Sequence, residues 1–522
     1  MKFLLVTGQL AKDLVKKYAC ESNVEYEVFA FPSPVAALLT ARAVAEALKK
    51  AAPKGFDAIL TPGFVFGDVS IIEQVTSIPT FKGPRYAADL PTVLEMYNRV
   101  KLSKVVPACE LLRDELRKKA LDELLAVEKK RDELLRNRGN FLIGSLPIGK
   151  DFPMRILAEI VDAPILSDEQ IAERAKYYVR SGADMIDVGM IVGAGRDRDA
   201  RRAVRAVKDV VDVPVSIDTI DPVEARAGVE AGADLVLSVD GGNAEDMACF
   251  VGRVAAVVIP TNHKKGKFPK KPDERVEMMQ SNIEITRRLG VKRVLADLIL
   301  DPVGSPGFVE SIVSYYKFRM NEPDVPLFAG VGNVVELLDA DTIGVNALAA
   351  GVASELGIDV LLTTEVSNTC KGCVKELSTA SKMMFLAKRR GSIPKGLGID
   401  LLFLKEKRFL EEPYARRYVE GVTEIHAISG EELRMDPKGC FKIMIDREQE
   451  MIVAIHYPMQ RRDRSDSVIR GKTAQEIYRT VLKSNLISYI SHSAYLGYEL
   501  GKAEIALRTG KGYVQDSMLF NW

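Results

Sequence analysis

Between about residues 140 and 390, short apolar runs recur that each stop at a small or polar residue, with helix-patterned segments between them. The runs are NFLIGSL (140–146), DMIDVG (184–189), VPVSID (213–218), DLVLSVD (234–240), AAVVIPTN (255–262), RVLADLILD (293–301), VPLFAGVGN (325–333) and DVLLTTE (359–365). Eight strand–helix units in about 250 residues is the arithmetic of a (β/α)8 barrel. An open doubly wound sheet is the rival. It would gather its polar strand ends at one switch point, whereas here nearly every run ends in polar residues. The expected fold is therefore α/β: a TIM barrel over 140–390, flanked by smaller domains.

In such a barrel the carboxyl ends of the strands form the catalytic face. Ser-Ile-Asp-Thr places Asp218 at the end of a buried strand. A carboxylate there can hold a polar heterocycle by accepting hydrogen bonds from its N–H groups. The bland alternative is a cap on the helix that follows, DPVEARAG. Asp187, in DMIDVG, stands at the top of the second strand and is a candidate to line or support the same site.

A chain of 522 residues exceeds one ordinary domain. Residues 1–105 read as a small α/β, Rossmann-like domain. FLLVT (3–7), YEVFAF (26–31) and FDAILTPG (56–63) are strand-like, and the Ala-rich run 35–52 is helix-like. No Gly-x-Gly-x-x-Gly is present, so a dinucleotide site is not indicated. Residues 106–139 hold a charged helical segment with Leu112, Leu116, Leu124 and Leu135 at near-helical spacing, read as a linking helix. Residues 397–522 read as an α+β module: a hairpin over 439–458 and helix over 472–508.

Lys plus Arg total 73 against 72 for Asp plus Glu, a net charge of +1, which gives no electrostatic case for nucleic acid. No apolar run is long enough for a membrane span, and the N-terminus reads as a first strand rather than a signal peptide. Six scattered cysteines fit a reducing compartment, so a cytoplasmic protein is expected. Cys370-Lys-Gly-Cys373 follows the last barrel run and reads either as half a metal site or redox pair, or as ordinary thiols at a helix start.

The order and wording of SGADMIDVG, VPVSIDT, EAGADLVLSVDGG and IPTNHKKG resemble the pterin-binding barrel family, which contains dihydropteroate synthase and the methyltetrahydrofolate:corrinoid methyltransferases. The resemblance implies that Asp218 holds the pterin ring. It implies a second ring carboxylate at Asp301, in LILDPVGSPG, with Asp297 of ADLIL a rival for that position. The family's fourth-strand Asn falls at Leu237 or Ser238, and Asn262 is its expected substitute. GVGN at 330–333 resembles the Gly-Leu-Ser-Asn of the methyltransferases, which implies that Asn333 acts near the pterin N5. The synthases' Ser-Arg-Lys, their glycine-rich second loop, their first-strand Asn and their terminal Arg-x-His are not matched. Arg196, Lys264, Lys265 and Lys371 are the cations left to hold a pyrophosphate.

The expectation is a pterin-dependent transferase in one-carbon metabolism, methyl transfer favoured. The substrate or cofactor would be tetrahydromethanopterin or tetrahydrofolate, with a corrinoid protein as partner and a homo-oligomeric state. The alternatives are condensation of a pterin pyrophosphate with an arylamine, and a non-catalytic pterin-binding scaffold. No resident metal is expected. His263 reads as a solvated loop residue or an acid–base group. SHSAYLGYELGKAEIAL (491–507) resembles a module found with archaeal one-carbon enzymes; within it His492 is read as a helix-capping or packed histidine, with the lower ligand of a cobamide as the alternative.

Overall fold

The computed structural model describes all residues except 32–38, 194, 305–306, 406–420, 422, 424, 428–433, 462 and 521–522. The chain forms two compact units, Met1–Glu406 and Lys407–Trp522.

The first unit opens with a parallel sheet of β1 (Lys2–Gly8), β2 (Glu25–Phe31), β3 (Ala58–Thr61) and β4 (Thr80–Lys82), in the order β2-β1-β3-β4. β4 was not expected from the sequence, being only three residues long and ending in Lys82. Alternate residues of β1 feed two cores: Phe3 and Leu5 pack with Leu90 and Val93, whereas Leu4 and Val6 pack with Val44, Leu48 and Ile72. The expected linking helix is broken into Ala108–Leu111, Arg113–Lys129 and Arg131–Leu134. Its Leu112 and Leu116 belong to the first of these cores, and its Ala120 packs on Met383 and Leu386 of the helix Cys373–Arg390. Arg390 clamps Glu123 with two hydrogen bonds of 3.1 and 3.0 Å.

The barrel begins later than the sequence suggested. Residues 140–146 are not its first strand. They enter a hairpin of β5 (Phe141–Ile143) and β6 (Leu146–Ile148). Ile143 and Ile148 are fully buried against Leu157, Met185, Leu235, Leu295 and Phe328, so the hairpin plugs the amino-terminal end of the barrel. Gly144 sits at its turn with φ +54°, where a Cβ would lie 2.9 Å from Asp234 Oδ1. The true first strand is β7 (Arg155–Ile160), whose charged ends disguise it. Arg155 donates to Pro147 O at 2.9 Å and pairs with Glu128 at 2.8 Å.

The remaining strands fall on the expected runs: β8 (Met185–Gly189), β9 (Val215–Asp218), β10 (Leu235–Val239), β11 (Ala255–Val258), β12 (Val294–Asp297), β13 (Leu327–Gly330) and β14 (Ile358–Thr364). All pairings are parallel, and β14 closes on β7 to complete the barrel. Three strand-start carboxylates tie neighbours together: Asp184 accepts from Ile156 N, Asp234 from Val215 N and Asp359 from Leu327 N.

The second unit is an antiparallel sheet of β15 (Cys440–Asp446), β16 (Met451–Tyr457) and β17 (Ser467–Gly471), with helices Ala474–Lys483 and Ile490–Thr509. β15 and β16 form the hairpin read from the sequence, and β17 extends it. Phe441, Ile443, Ile477 and Leu500 share one core. His492 is buried beside Asp436 and packs near Phe441 and Tyr495, as a packed histidine should. Among the described residues no helix is long and apolar enough to cross a membrane.

Candidate functional site

The period of two along each barrel strand determines what reaches the mouth. Leu157, Met185, Leu235, Val257, Leu295 and Phe328 point inward and fill the barrel above the hairpin. Two residues further on, the inward positions of three strands are Glu159 on β7, Asp187 on β8 and Asp297 on β12. On β9 the inward positions are Ser216 and Asp218, since Val215 and Ile217 belong to the outer core. A layer of carboxylates therefore lies on a layer of hydrocarbon.

Glu159, Asp187 and Asp218 each bring an oxygen within 4.8 Å of the other two. Register explains it: Glu159 pairs with Asp187, and Gly189, two residues after Asp187, pairs with Asp218. Gly189 leaves room for the Glu159 carboxyl group: a Cβ there would stand 2.5 Å from Glu159 Oε1 and displace it. Asp187 is fully buried; it accepts a short hydrogen bond from Ser216 Oγ, and among the described residues its Oδ2 has no hydrogen-bond partner. Asp218 accepts from Ser238 Oγ at 2.6 Å. Ser238 adopts φ +62° where the β10–β11 register shifts, which turns its hydroxyl toward Asp218.

Crowded carboxylates taken from water resist ionisation. Burial, then Asp218, pushes Glu159 up to about 7. Burial, then Asp218 and Glu159, holds Asp187 well above the usual carboxylate range. Asp218 is raised by burial against the opposing pull of Ser238. Asp297 is pushed up to about 6 by burial, which its bonds from Tyr315 and Ile299 partly offset, and Asp218 adds to the rise. Tyr315 Oη donates to Asp297 at 2.6 Å.

The residues expected from the sequence separate into two groups. Asp187, Asp218 and Asp297 share the carboxylate layer. Asp301 does not join it. It lies beyond β12, paired with the buried guanidinium of Arg275 and bonded by Ser311 Oγ at 2.9 Å. Arg275 also donates to Ile299 O at 2.9 Å, so this pair holds the loop after β12. Asn262 is a cap: its Oδ1 accepts from Lys265 N at 3.0 Å. His263 is bound to buried Asp240 through both its backbone N, at 2.7 Å, and Nδ1, at 2.9 Å. Asn333 is exposed after β13, and its Nδ2 donates to Leu300 O at 3.1 Å. Burial pushes the Cys373 thiol up to about 12, which suits a packed thiol and not a nucleophile.

Glu159 is the member that sequence reasoning missed. Its signal is present in the sequence, an apolar run Ile-Leu-Ala closing on Glu-Ile, but the apolar run just before it, 140–146, matches a first strand better. Ser216 and Tyr315 were missed for another reason: each matters only through the carboxylate it touches.

Residues 161–331, from the second barrel unit's approach to the end of β13, match the family described as pterin binding enzyme. Residues 1–85 match a family of unknown function, and 435–516 match one described as PterinBD-DUF4346. An uncharacterized protein of Methanocaldococcus jannaschii is 39% identical over 535 residues, covering 100% of this chain and 99% of its own. Among solved structures, dihydropteroate synthase from Thermus thermophilus is 22% identical, with a TM-score of 0.36 over 46% of this chain and 97% of its own. That from Yersinia pestis is 16% identical, with a TM-score of 0.39 over 48% and 99%. With its closed barrel, its match over 161–331 and its full-length archaeal relative, the chain belongs to the pterin-binding TIM-barrel family.

Proposed function

We propose that the barrel mouth binds a reduced pterin, tetrahydromethanopterin or tetrahydrofolate, and transfers a methyl group from its N5. Asp218 and Asp297 take the N–H donors of the aminopyrimidinone edge. Glu159 serves N5. When the methyl carbon bonds to an acceptor's electron pair, the N5–CH3 electrons stay on nitrogen, and a proton from Glu159 neutralises the charge that forms. The acceptor is a strong nucleophile of the corrinoid or thiol class, supplied by a partner.

The observation that carries this reading is a carboxyl group pushed up to about 7 beside the ring carboxylate Asp218. A group of that kind is half protonated at neutral pH, which suits an acid catalyst. We assign the role expected of Asn333 to Glu159, since Asn333 is exposed after β13 and turns one amide N–H to Leu300 O, whereas Glu159 stands beside Asp218.

The carboxylate layer also weighs against the condensation reading. Expelled pyrophosphate needs cationic stabilisation, and three of the four cations considered for it are engaged elsewhere. Lys264 pairs with Asp246 at 2.5 Å, Lys371 donates to Glu365 O at 3.0 Å, and Arg196 faces Asp199 at 3.9 Å. The test is single-turnover demethylation of a methylated reduced pterin with a reduced cobalamin or a thiol as acceptor. Transfer is expected, and Glu159→Gln should slow it about 100-fold or more while changing pterin affinity less than tenfold. Binding without transfer to any acceptor would leave a scaffold. Mg²⁺-dependent turnover of a pterin pyrophosphate with p-aminobenzoate would establish the condensation instead.

A further inference from the structure

The loops after β10 and β11 carry a histidine held by a buried carboxylate, apart from the pterin contacts. Asp240 follows β10, and its side chain is 1% exposed. Its Oδ1 accepts from Gly242 N at 2.7 Å and Asn243 N at 3.1 Å, and its Oδ2 from Thr261 Oγ1 at 2.9 Å and His263 N at 2.7 Å. His263 Nδ1 completes the set, 2.9 Å from Oδ1. Gly242 makes room for the ring, since a Cβ there would stand 2.8 Å from Nδ1.

With these other donors converging on it, Asp240 only accepts. The ring proton therefore lies on Nδ1, and Nε2 keeps its lone pair. Among the described residues Nε2 has no hydrogen-bond partner, and the side chain is 25% exposed. The imidazole is not needed to join the two loops. Asp240 already bridges them through Thr261 Oγ1 and His263 N, and Gly241 N donates to Thr261 O at 3.1 Å.

Both loops lie at the carboxyl end of the barrel, its catalytic face. They are also tied to the ring carboxylate. Asn243 Oδ1 accepts from Asp240 N at 2.8 Å, Asn243 Nδ2 donates to Ser238 O at 3.1 Å, and Ser238 Oγ donates to Asp218 at 2.6 Å. Ser238, Asn243 and Asp240 thus link Asp218 to the imidazole. A base oriented by a buried carboxylate, with its other nitrogen open, is the arrangement that takes a proton from a nucleophile.

We infer that His263 is the catalytic base for the methyl acceptor, and that the acceptor is a thiol; this rests on the methyl-transfer reading above. A Co(I) cobalamin has no proton to lose and needs no base, whereas a thiol attacks as its thiolate. The S–H proton passes to His263 Nε2, and the sulfur electron pair bonds to the methyl carbon. The N5–CH3 pair stays on N5, which takes its proton from Glu159. The products are a thioether and the N5–H pterin. His263 is left protonated and Glu159 ionised, and exchange with water resets both. Lys265, exposed in the same turn, favours the thiolate.

The experiment is single-turnover demethylation of a methylated reduced pterin by the full-length protein, with mercaptoethanol and, separately, Co(I) cobalamin as acceptor. The parent should transfer to the thiol. His263→Gln should slow that transfer about 100-fold, with pterin affinity and melting temperature little changed. The deficit should shrink with a more acidic thiol such as trifluoroethanethiol, which is already ionised. In His263→Ala, added imidazole should restore part of the rate, which a purely structural histidine would not allow. Transfer by the parent to cobalamin alone would overturn the thiol assignment and leave the methyl-transfer reading standing. Transfer to neither acceptor would overturn both. A deficit indifferent to thiol acidity and to imidazole would show that His263 only holds its loop.

Discussion

Glu159 and Asp218, two strands apart in the barrel, bring carboxylate oxygens within 4.8 Å of each other and of Asp187 between them. Like charges this close in a partly dry site do not all ionise at neutral pH. The pair therefore divides the work: one carboxyl retains a proton, and the other accepts hydrogen bonds.

The first consequence concerns stability against pH. The folded protein holds Glu159 up to about 7, from an ordinary value of 4.5. Between those two values the folded state binds more protons than the unfolded one. The contribution is fully present below about pH 4.5 and is lost as pH rises through about 7. Glu159→Gln removes this dependence. At pH 8 it should be more stable than the parent by roughly 1–3 kcal/mol, with a smaller difference at pH 5. Denaturant melts at the two pH values measure it, and equal differences at both would show that Glu159 is not raised.

Asp218→Asn should weaken pterin binding by about 2–3 kcal/mol, since a charge-assisted hydrogen bond to the ring is lost and a buried donor is left unmatched. Titration with a panel of reduced pterins checks this. Unchanged affinity in a folded variant would remove Asp218 from the ring site.

Asp297 and Asp301 are separated by a pair of substitutions. Asp297→Asn should weaken pterin binding and leave the fold intact. Asp301→Asn leaves buried Arg275 without its carboxylate, and should cost about 3 kcal/mol of stability. With the protein still folded, its pterin affinity should change little. The reverse result, with pterin affinity lost on Asp301→Asn alone, would return Asp301 to the ring.

Gly189→Ala tests the geometry rather than the chemistry. Its Cβ would stand 2.5 Å from Glu159 Oε1, so the carboxyl group must swing away from Asp218. Methyl transfer should fall at least tenfold with little loss of melting temperature, because the displaced group is the flexible end of one side chain. Unchanged transfer would mean that the position of Glu159 is not critical.

Much of this protein was legible in its residues. The alternation of apolar runs and helical patterns carried the barrel, and seven of the eight runs fell on barrel strands because each is mainly apolar and stops at a small or polar residue. Asp218 was visible for the same reason. The missing strand, β7, carries Arg155 at its start and Glu159 near its end; Arg155 is met by Glu128 on the long helix and by Asp184, and Glu159 is held toward its neutral form by burial and by Asp218. No local pattern reports such partners. Asp301 and Asp297 differ by four positions in one loop-ended run, and the choice between them depends on Arg275 approaching from the preceding helix. Periodicity is a property of the chain and can be read from it. Which charges meet, and which are left unmet, depends on distances across the closed barrel and the folded sheet, and only the tertiary structure decides those.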